Sequence, residues 1–232
     1  MKRRLVLFDI DGTILLSGGA GRRAITAALS EAVGDVGAFN GIRFDGKTDP
    51  QIVGELLAAA GHERPHDEAR VAELCERYVT LLEQELSGPA TGTVLMPGVP
   101  ELLDRLEIDD SVVLGLLTGN LARGARLKLS AAGISPERFR VGAFGSDSAH
   151  RTELPAVAAK RAEPFFGRVP TGEEVVIIGD TPADIYCGAG IGARALGVAT
   201  GGYPVDALAA CAPHAVFSDL SDTAAVIAAI LE

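Results

Sequence analysis

The sequence predicts an α/β protein, a doubly wound parallel sheet interrupted after its first strand by a small helical insertion, and three observations carry that reading. Short β-branched or leucine-rich runs recur at 4–8, 112–117, 140–143, 174–178, 193–198 and 215–217. Their near-continuous apolar character, without alternation, is that of strands buried on both faces of a parallel sheet. Segments long enough for crossover helices lie between them, whereas residues 17–90 hold no convincing strand and show helical periodicity instead.

Taken in order, the first strand leads into Phe8-Asp9-Ile10-Asp11-Gly12-Thr13. The insertion follows, with helices expected over 22–33, 49–60 and 66–86. Gly18-Gly19-Ala20-Gly21 and Ser87-Gly88-Pro89-Ala90-Thr91-Gly92 bracket it with the turn-forming residues that a hinge between two bodies requires. Beyond it, helices are expected over 99–106, 121–132, 154–166, 182–189 and 222–231, interleaved with the remaining strands. The sequence shows no internal repeat and no low-complexity tract.

Composition narrows the function classes. With 232 residues, 47% of them apolar and 22% charged, the chain can bury a full core. Its apolar runs fall far short of the roughly 18 residues of a membrane span, so no membrane partner is expected. Asp9 and Asp11 break the first run before it reaches the ~7–15 residues of a signal-peptide core, and a cytoplasmic location is expected. A net charge of −10, from 21 basic and 31 acidic residues, argues against nucleic acid as a partner. Cys75, Cys187 and Cys211 are too widely spaced for a CxxC pair or a disulfide framework. His62 and His66 straddle Pro65, which breaks the helix that would align them on a zinc ion.

The chemistry sits at strand ends. Alternate residues of an extended segment point the same way, so Asp9 and Asp11 are expected to project together at the C-terminal end of the first strand, where open α/β sheets place their ligands. Two carboxylates this close are tolerated when a cation lies between them or when one is protonated for acid/base work. A second acidic pair follows the run 174–178 in Gly179-Asp180-Thr181-Pro182-Ala183-Asp184, where Pro182 as an early helical residue puts Asp184 in the first helical turn. Oxygen-only ligands favour a hard cation such as Mg²⁺. Read alone, Asp184 serves the helix N-terminus as readily as a metal. Between these pairs, Thr118-Gly119-Asn120 ends another strand with a hydroxyl and backbone N–H groups suited to phosphate oxygens, although Thr118 as a simple helix cap fits as well.

In that order, and each at a strand end, Asp9-Ile10-Asp11-Gly12-Thr13, Thr118 and Gly179-Asp180-Thr181-Pro182-Ala183-Asp184 resemble the motifs of the haloacid dehalogenase superfamily of phosphatases. The resemblance covers essentially the whole chain. It implies a Rossmann-like catalytic core at 1–16 and 93–232, and a helical cap domain at 17–92 like that of phosphoglycolate phosphatase-like members. It further implies that Asp9 attacks the substrate phosphorus and forms an aspartyl phosphate. Asp11 would be the general acid and base, and Thr118 with Gly119 and Asn120 would bind phosphate. Mg²⁺ would be held by Asp9, the Asp11 backbone carbonyl and Asp180, with Asp184 in support. The family's usual basic residue is a lysine shortly before a proline-containing helix start, and residues 144–155 contain none. Arg151, just upstream of Pro155, is expected to take that role, with Lys160 and Arg161 as fallbacks. The expected substrate is a small phosphomonoester resembling phosphoglycolate, and the sequence sets no oligomeric state.

Competing readings are weighed on residues. A dehalogenase would not need Asp11. A sugar phosphomutase of the β-phosphoglucomutase type would carry a histidine early in the cap, and residues 18–24 have none. Lys47 could face the substrate from the cap, or be a solvated lysine. A phosphoryl-accepting signalling domain would be shorter, would lack the insertion, and usually carries its aspartate after a middle strand; the intact acidic set argues against a catalytically inactive binding protein. Residues 19–24 and 188–193 fit a GxGxx(G/A) pattern, but neither follows a strand and opens a helix as a dinucleotide site demands.

Overall fold

A computed structural model of the chain describes residues 3–34, 41–88 and 92–232. Six strands form one parallel sheet: β1 (Arg4–Phe8), β4 (Val112–Thr118), β5 (Val141–Phe144), β6 (Val175–Gly179), β7 (Arg194–Val198) and β8 (Ala215–Phe217), in the spatial order β5-β4-β1-β6-β7-β8. The chain winds from β1 through β4 to β5 on one side, then returns to β6 on the other side of β1 and winds outward. Loops leaving β1 and β6 therefore diverge, which opens a crevice at the C-terminal edge of the sheet between these two strands.

Both faces of the sheet are covered, and the lack of hydrophobic alternation follows from that. Val6, Phe8, Leu114, Leu116, Val176 and Ile178 pack on one face against α4 (Val99–Glu107), α5 (Ala122–Ala131) and α10 (Thr223–Leu231). Their neighbours Leu5, Leu7, Val113, Leu117, Val175 and Ile177 face the other way, toward Leu154 and Ala158 of α6 (Leu154–Arg161). A period of two thus exists in direction but not in polarity.

Between β1 and β4 the chain first makes β2 (Leu15–Ser17), then α1 (Ala20–Val33), α2 (Asp49–Ala59) and α3 (Glu68–Leu86), and returns through β3 (Thr93–Leu95), which pairs antiparallel with β2. The three helices share a core of their own, including Ile25, Leu29, Ile52, Leu56, Leu74, Tyr78 and Leu82. Pro89, Ala90 and Thr91 of the expected hinge lie outside the described residues.

Several expectations are corrected. The helix expected over 154–166 is two, α6 and α7 (Glu163–Phe166), because Pro164 lacks the N–H that would continue the ladder of α6. The helix expected over 182–189 ends earlier, as α8 (Pro182–Cys187), and passes into a 3₁₀ turn at Gly188–Ile191. A short helix, α9 (Val205–Ala209), and the β2/β3 ribbon were not expected; at three residues each, the two strands are too short to leave a periodic signal.

Thr48 and Asp49 dock the helical insertion onto the edge of the sheet. The Asp49 amide donates to the Gly119 carbonyl at 2.8 Å, and the Leu121 amide at the start of α5 donates to Asp49 Oδ2 at 2.8 Å. Thr48, fully buried, accepts from the Gln51 amide as the cap of α2 and donates across the gap to the Ala149 carbonyl at 2.7 Å. Thr48→Val keeps the shape and loses both hydrogen bonds, so unfolding in urea should show a loss of about 1–3 kcal/mol; an unchanged midpoint would mean that Thr48 adds nothing to the docking.

Candidate active site

Four loops at the C-terminal ends of β1, β4, β5 and β6 meet over the crevice. β1 ends at Phe8, and the Asp9 amide still pairs with the Ile178 carbonyl at 2.9 Å, so the ladder itself fixes Asp9 beside β6. The chain then turns tightly: Gly12 adopts φ +86°, and Ile14 and Leu15 both donate back to the Ile10 carbonyl. A side chain at Gly12 would need the left-handed conformation and would also strike the Asp180 carboxylate.

Asp9 is buried, and Arg151 Nη2 donates to its Oδ1 at 2.8 Å. The same guanidinium nitrogen donates to Asp184 Oδ1, and Arg151 Nε has no hydrogen-bond partner although it is buried. Asp184 Oδ2 also accepts from the Thr181 amide and hydroxyl, closing a capping box at the start of α8. Helix cap and acidic cluster are thus one residue's double duty. Asp180 accepts from the Thr13 hydroxyl at 3.1 Å. Carboxylate oxygens of Asp9, Asp180 and Asp184 lie within 4.8 Å of one another.

This clustering has an electrostatic cost. Burial pushes the Asp9 carboxyl up to about 7, against the pull of Arg151 and with the help of the Asp184 charge. Burial, then repulsion from Asp184 and Asp9, pushes Asp180 up to about 9. Burial opposes the charge of Arg151 as well, but Asp184 and Asp9 more than offset it and hold its pKa above the ordinary value. One guanidinium does not balance three buried carboxylates. An oxygen-only set with unbalanced negative charge fits a hard divalent cation, which these residues could hold.

Asp11 belongs to a different environment. Its side chain is 41% exposed, and Lys128 Nζ donates to both of its oxygens, at 2.8 and 2.6 Å. Asn120 Nδ2 donates to Asp11 Oδ2 at 2.7 Å and to Thr118 Oγ1 at 2.8 Å, while Asn120 Oδ1 accepts from Lys128. Asp9 and Asp11 line one cavity, as the sequence leads one to expect, but β1 stops before them and they engage separate partners.

That cavity, of about 350 Å³, is also lined by Thr118, Gly119, Asn120, Arg151 and Asp180, and from the helical insertion by Arg22 and Lys47. Lys47 is paired with Glu55. Lys160 and Arg161 lie elsewhere: both are exposed, and Arg161 is bound to Asp147 and the Gly142 carbonyl. A wider depression at the opposite edge of the sheet, around Arg3, Ser111 and Glu174, contains none of the expected site residues.

Sequence reading missed Thr13 and Lys128. Thr13 stands within a quoted motif, and only the approach of β6 reveals its partner. Lys128 left a signal: positions 121, 124, 125, 128 and 129 are the buried face of α5 and its cap, and they read Leu, Gly, Ala, Lys, Leu. A lone lysine on such a face requires acceptors within reach of its ammonium.

Comparisons with known proteins give the family and the fold. The family model described as haloacid dehalogenase-like hydrolase matches residues 6–189. A phosphoglycolate phosphatase of Cereibacter sphaeroides is 31% identical over 191 residues, covering 82% of each chain. Among solved structures, a hydrolase from Pseudomonas syringae aligns with TM-score 0.72 at 20% identity over 98% of both chains. CbbY from Rhodobacter sphaeroides in complex with phosphate aligns with TM-score 0.70 at 14% identity, over 95% of this chain and 96% of that one. At those identities the two structures speak for the fold.

The raised carboxyls make a prediction about pH. Between the ordinary value of 3.8 and their folded values of about 7 and about 9, Asp9 and Asp180 hold protons in the folded state that the unfolded chain releases. Stability in metal-free buffer should therefore fall as pH rises through that window. Asp147, held below the ordinary value by Arg161 and the Phe144 amide, titrates below it. Added Mg²⁺ should flatten the slope, and Asp180→Asn should remove part of it; urea unfolding at several pH values checks both. Stability that climbs with pH in the metal-free protein would contradict the raised pair.

Proposed function

The chain belongs to the haloacid dehalogenase-like hydrolase family and is a phosphatase; from that premise we propose that it hydrolyses a small phosphomonoester resembling phosphoglycolate, with Mg²⁺, through an aspartyl phosphate on Asp9. The observation that carries the reading is the separation of two carboxylates into two environments. Asp9 is buried beside Arg151 and the other two clustered aspartates, whereas Asp11 is more open and tied to donors of its own. A nucleophile and an acid/base need such a difference.

In the first half-reaction, an Asp9 carboxylate oxygen bonds to phosphorus as the bond from phosphorus to the leaving oxygen breaks, and Asp11 supplies the proton that the leaving oxygen takes up. In the second, a water oxygen attacks phosphorus, the bond to Asp9 breaks, and the water's proton passes to Asp11. Arg151, already on Asp9, is the cation nearest the incoming phosphoryl group, and its free Nε is a further donor. Thr118, with Gly119 and Asn120, forms the phosphate cradle, and Lys47 faces the leaving group from the helical insertion. A bound Mg²⁺, held by Asp9, Asp180 and the Asp11 carbonyl with Asp184 in support, would offset the charge between carboxylates and phosphate. Residues 17–92 would act as the cap and 1–16 with 93–232 as the catalytic core.

Hydrolysis is preferred to mutase chemistry because the start of α1 offers no histidine to the cavity. A cytoplasmic setting is part of the proposal, and no helix among the described residues is long and apolar enough to cross a membrane.

Phosphate release from a panel of small phosphomonoesters that includes phosphoglycolate tests the reading. Turnover should require Mg²⁺, vanish in Asp9→Asn, and drop about 10²–10⁴-fold in Asp11→Asn for alkyl esters. Equal activity in wild type and Asp9→Asn would refute the nucleophile assignment.

A further inference from the structure

Lys128 has no part in the mechanism above, yet it is the most completely engaged cation of the cavity. Its side chain is 5% exposed, and its ammonium makes three contacts: both oxygens of Asp11 and Asn120 Oδ1. An ammonium has three N–H donors, so none is left over for a substrate. The fit is built in from both sides. α5 places Lys128 among buried Gly124, Ala125 and Leu129, and opposite it α1 presents Gly21, where a Cβ would come within 3.3 Å of Nζ.

A buried ammonium is retained only where its partners are worth more than its hydration. Asp11 here accepts three hydrogen bonds, two from Lys128 and one from Asn120 Nδ2, which is the pattern of a carboxylate. Asn120 is oriented by the same contacts, its oxygen toward Lys128 and its nitrogen toward Asp11. The arrangement fixes the place and orientation of the carboxylate that Asp11 becomes once it has given its proton to the leaving group.

We infer that Lys128 is a positioning residue for the second half-reaction: it holds the Asp11 carboxylate in place, through direct contact and through Asn120, so that Asp11 can accept the proton of the water that hydrolyses the aspartyl phosphate. This rests on the proposed function and adds to it the residue that governs one of its two steps. No bond to Lys128 forms or breaks; the proton passes from water to Asp11, and the phosphorus bond to Asp9 is the one lost.

p-Nitrophenyl phosphate separates the steps, because nitrophenolate leaves without a proton and the first step then does not need Asp11 as an acid. Lys128→Met should lower kcat about 10- to 100-fold, as loss of a supporting hydrogen-bond partner does. KM should fall with it and leave kcat/KM within about threefold, the signature of a slowed later step. A burst of nitrophenolate, near one equivalent per site, should precede the slow steady state. Adding Lys128→Met to Asp11→Asn should cost less than about threefold more, because the two residues act as one unit. Thermal melts check folding, and Lys128→Gln, one atom shorter but still an N–H donor, should show the same burst with a smaller loss. Unchanged kcat, a fall in kcat/KM without a burst, or a rise in KM confined to esters with an anionic leaving group would each overturn the role of Lys128 alone. Absence of wild-type turnover, or turnover that survives Asp9→Asn, would overturn the phosphatase mechanism and this role together.

Discussion

Three aspartates brought within 4.8 Å of one another and buried at the edge of a parallel sheet are the constraint on which the rest of the site depends. Backbone pairing forces the contact, since β1 and β6 are neighbours and Asp9 and Asp180 follow their last paired residues. Such proximity of buried side chains is unfavourable for each carboxylate. Nearby features respond to it. Arg151 reaches in from the turn before α6, Thr13 and Thr181 supply hydroxyls, and Asp184 is held at the start of α8. Glycines make the room: a Cβ at Gly179 would stand 2.1 Å from Asp184 Cγ, and one at Gly201 would stand 1.7 Å from Asp180 Oδ2. Replacing either is therefore a change to the acidic set rather than to the backbone alone.

Asp11 escapes this constraint by two residues. The turn at Gly12 carries it off the strand line, toward β4 and α5, where Asn120 and Lys128 receive it. Identical side chains thereby acquire different neighbours: Asp9 faces other aspartates and a guanidinium, whereas Asp11 faces an ammonium and an amide. Sequence spacing alone cannot assign those partners, since it says only that both aspartates lie at one strand end.

What could be read from the sequence follows from how local each cause is. Strands buried on both faces leave continuous apolar runs, and all six strands of the sheet lie within a residue or so of their expected ends. The acidic residues could be located because each follows such a run. The helix expected over 154–166 hid a break because Pro164 comes late in an otherwise helical pattern, and α9 is too short for any period to show. Lys128 was hidden for a deeper reason. It stands among 21 basic residues, and what distinguishes it is the face of α5 it occupies together with an acceptor 117 positions away in the chain.

Charge balance in the cavity ties its parts together. Its lining includes five carboxylates, those of Asp9, Asp11, Asp45, Asp49 and Asp180, and four cations, Arg22, Lys47, Lys128 and Arg151. The cations are already engaged. Arg151 is held by Asp9 and Asp184, Lys128 by Asp11, and Lys47 by Glu55, while Arg22 donates to the Ile42 carbonyl and stacks 3.9 Å over Phe44. A phosphate dianion entering this space would find no cation free to receive it, on a chain that already carries −10. A divalent cation on the aspartate cluster would take the place of the protons held there and offer an uncommitted positive charge, so that one ion both relieves the carboxylates and makes the cavity attractive to an anion. Metal binding and substrate binding are then coupled by electrostatics: the same buried carboxyls hold protons without the cation, and the ion that would displace those protons is also the charge that would receive the phosphate.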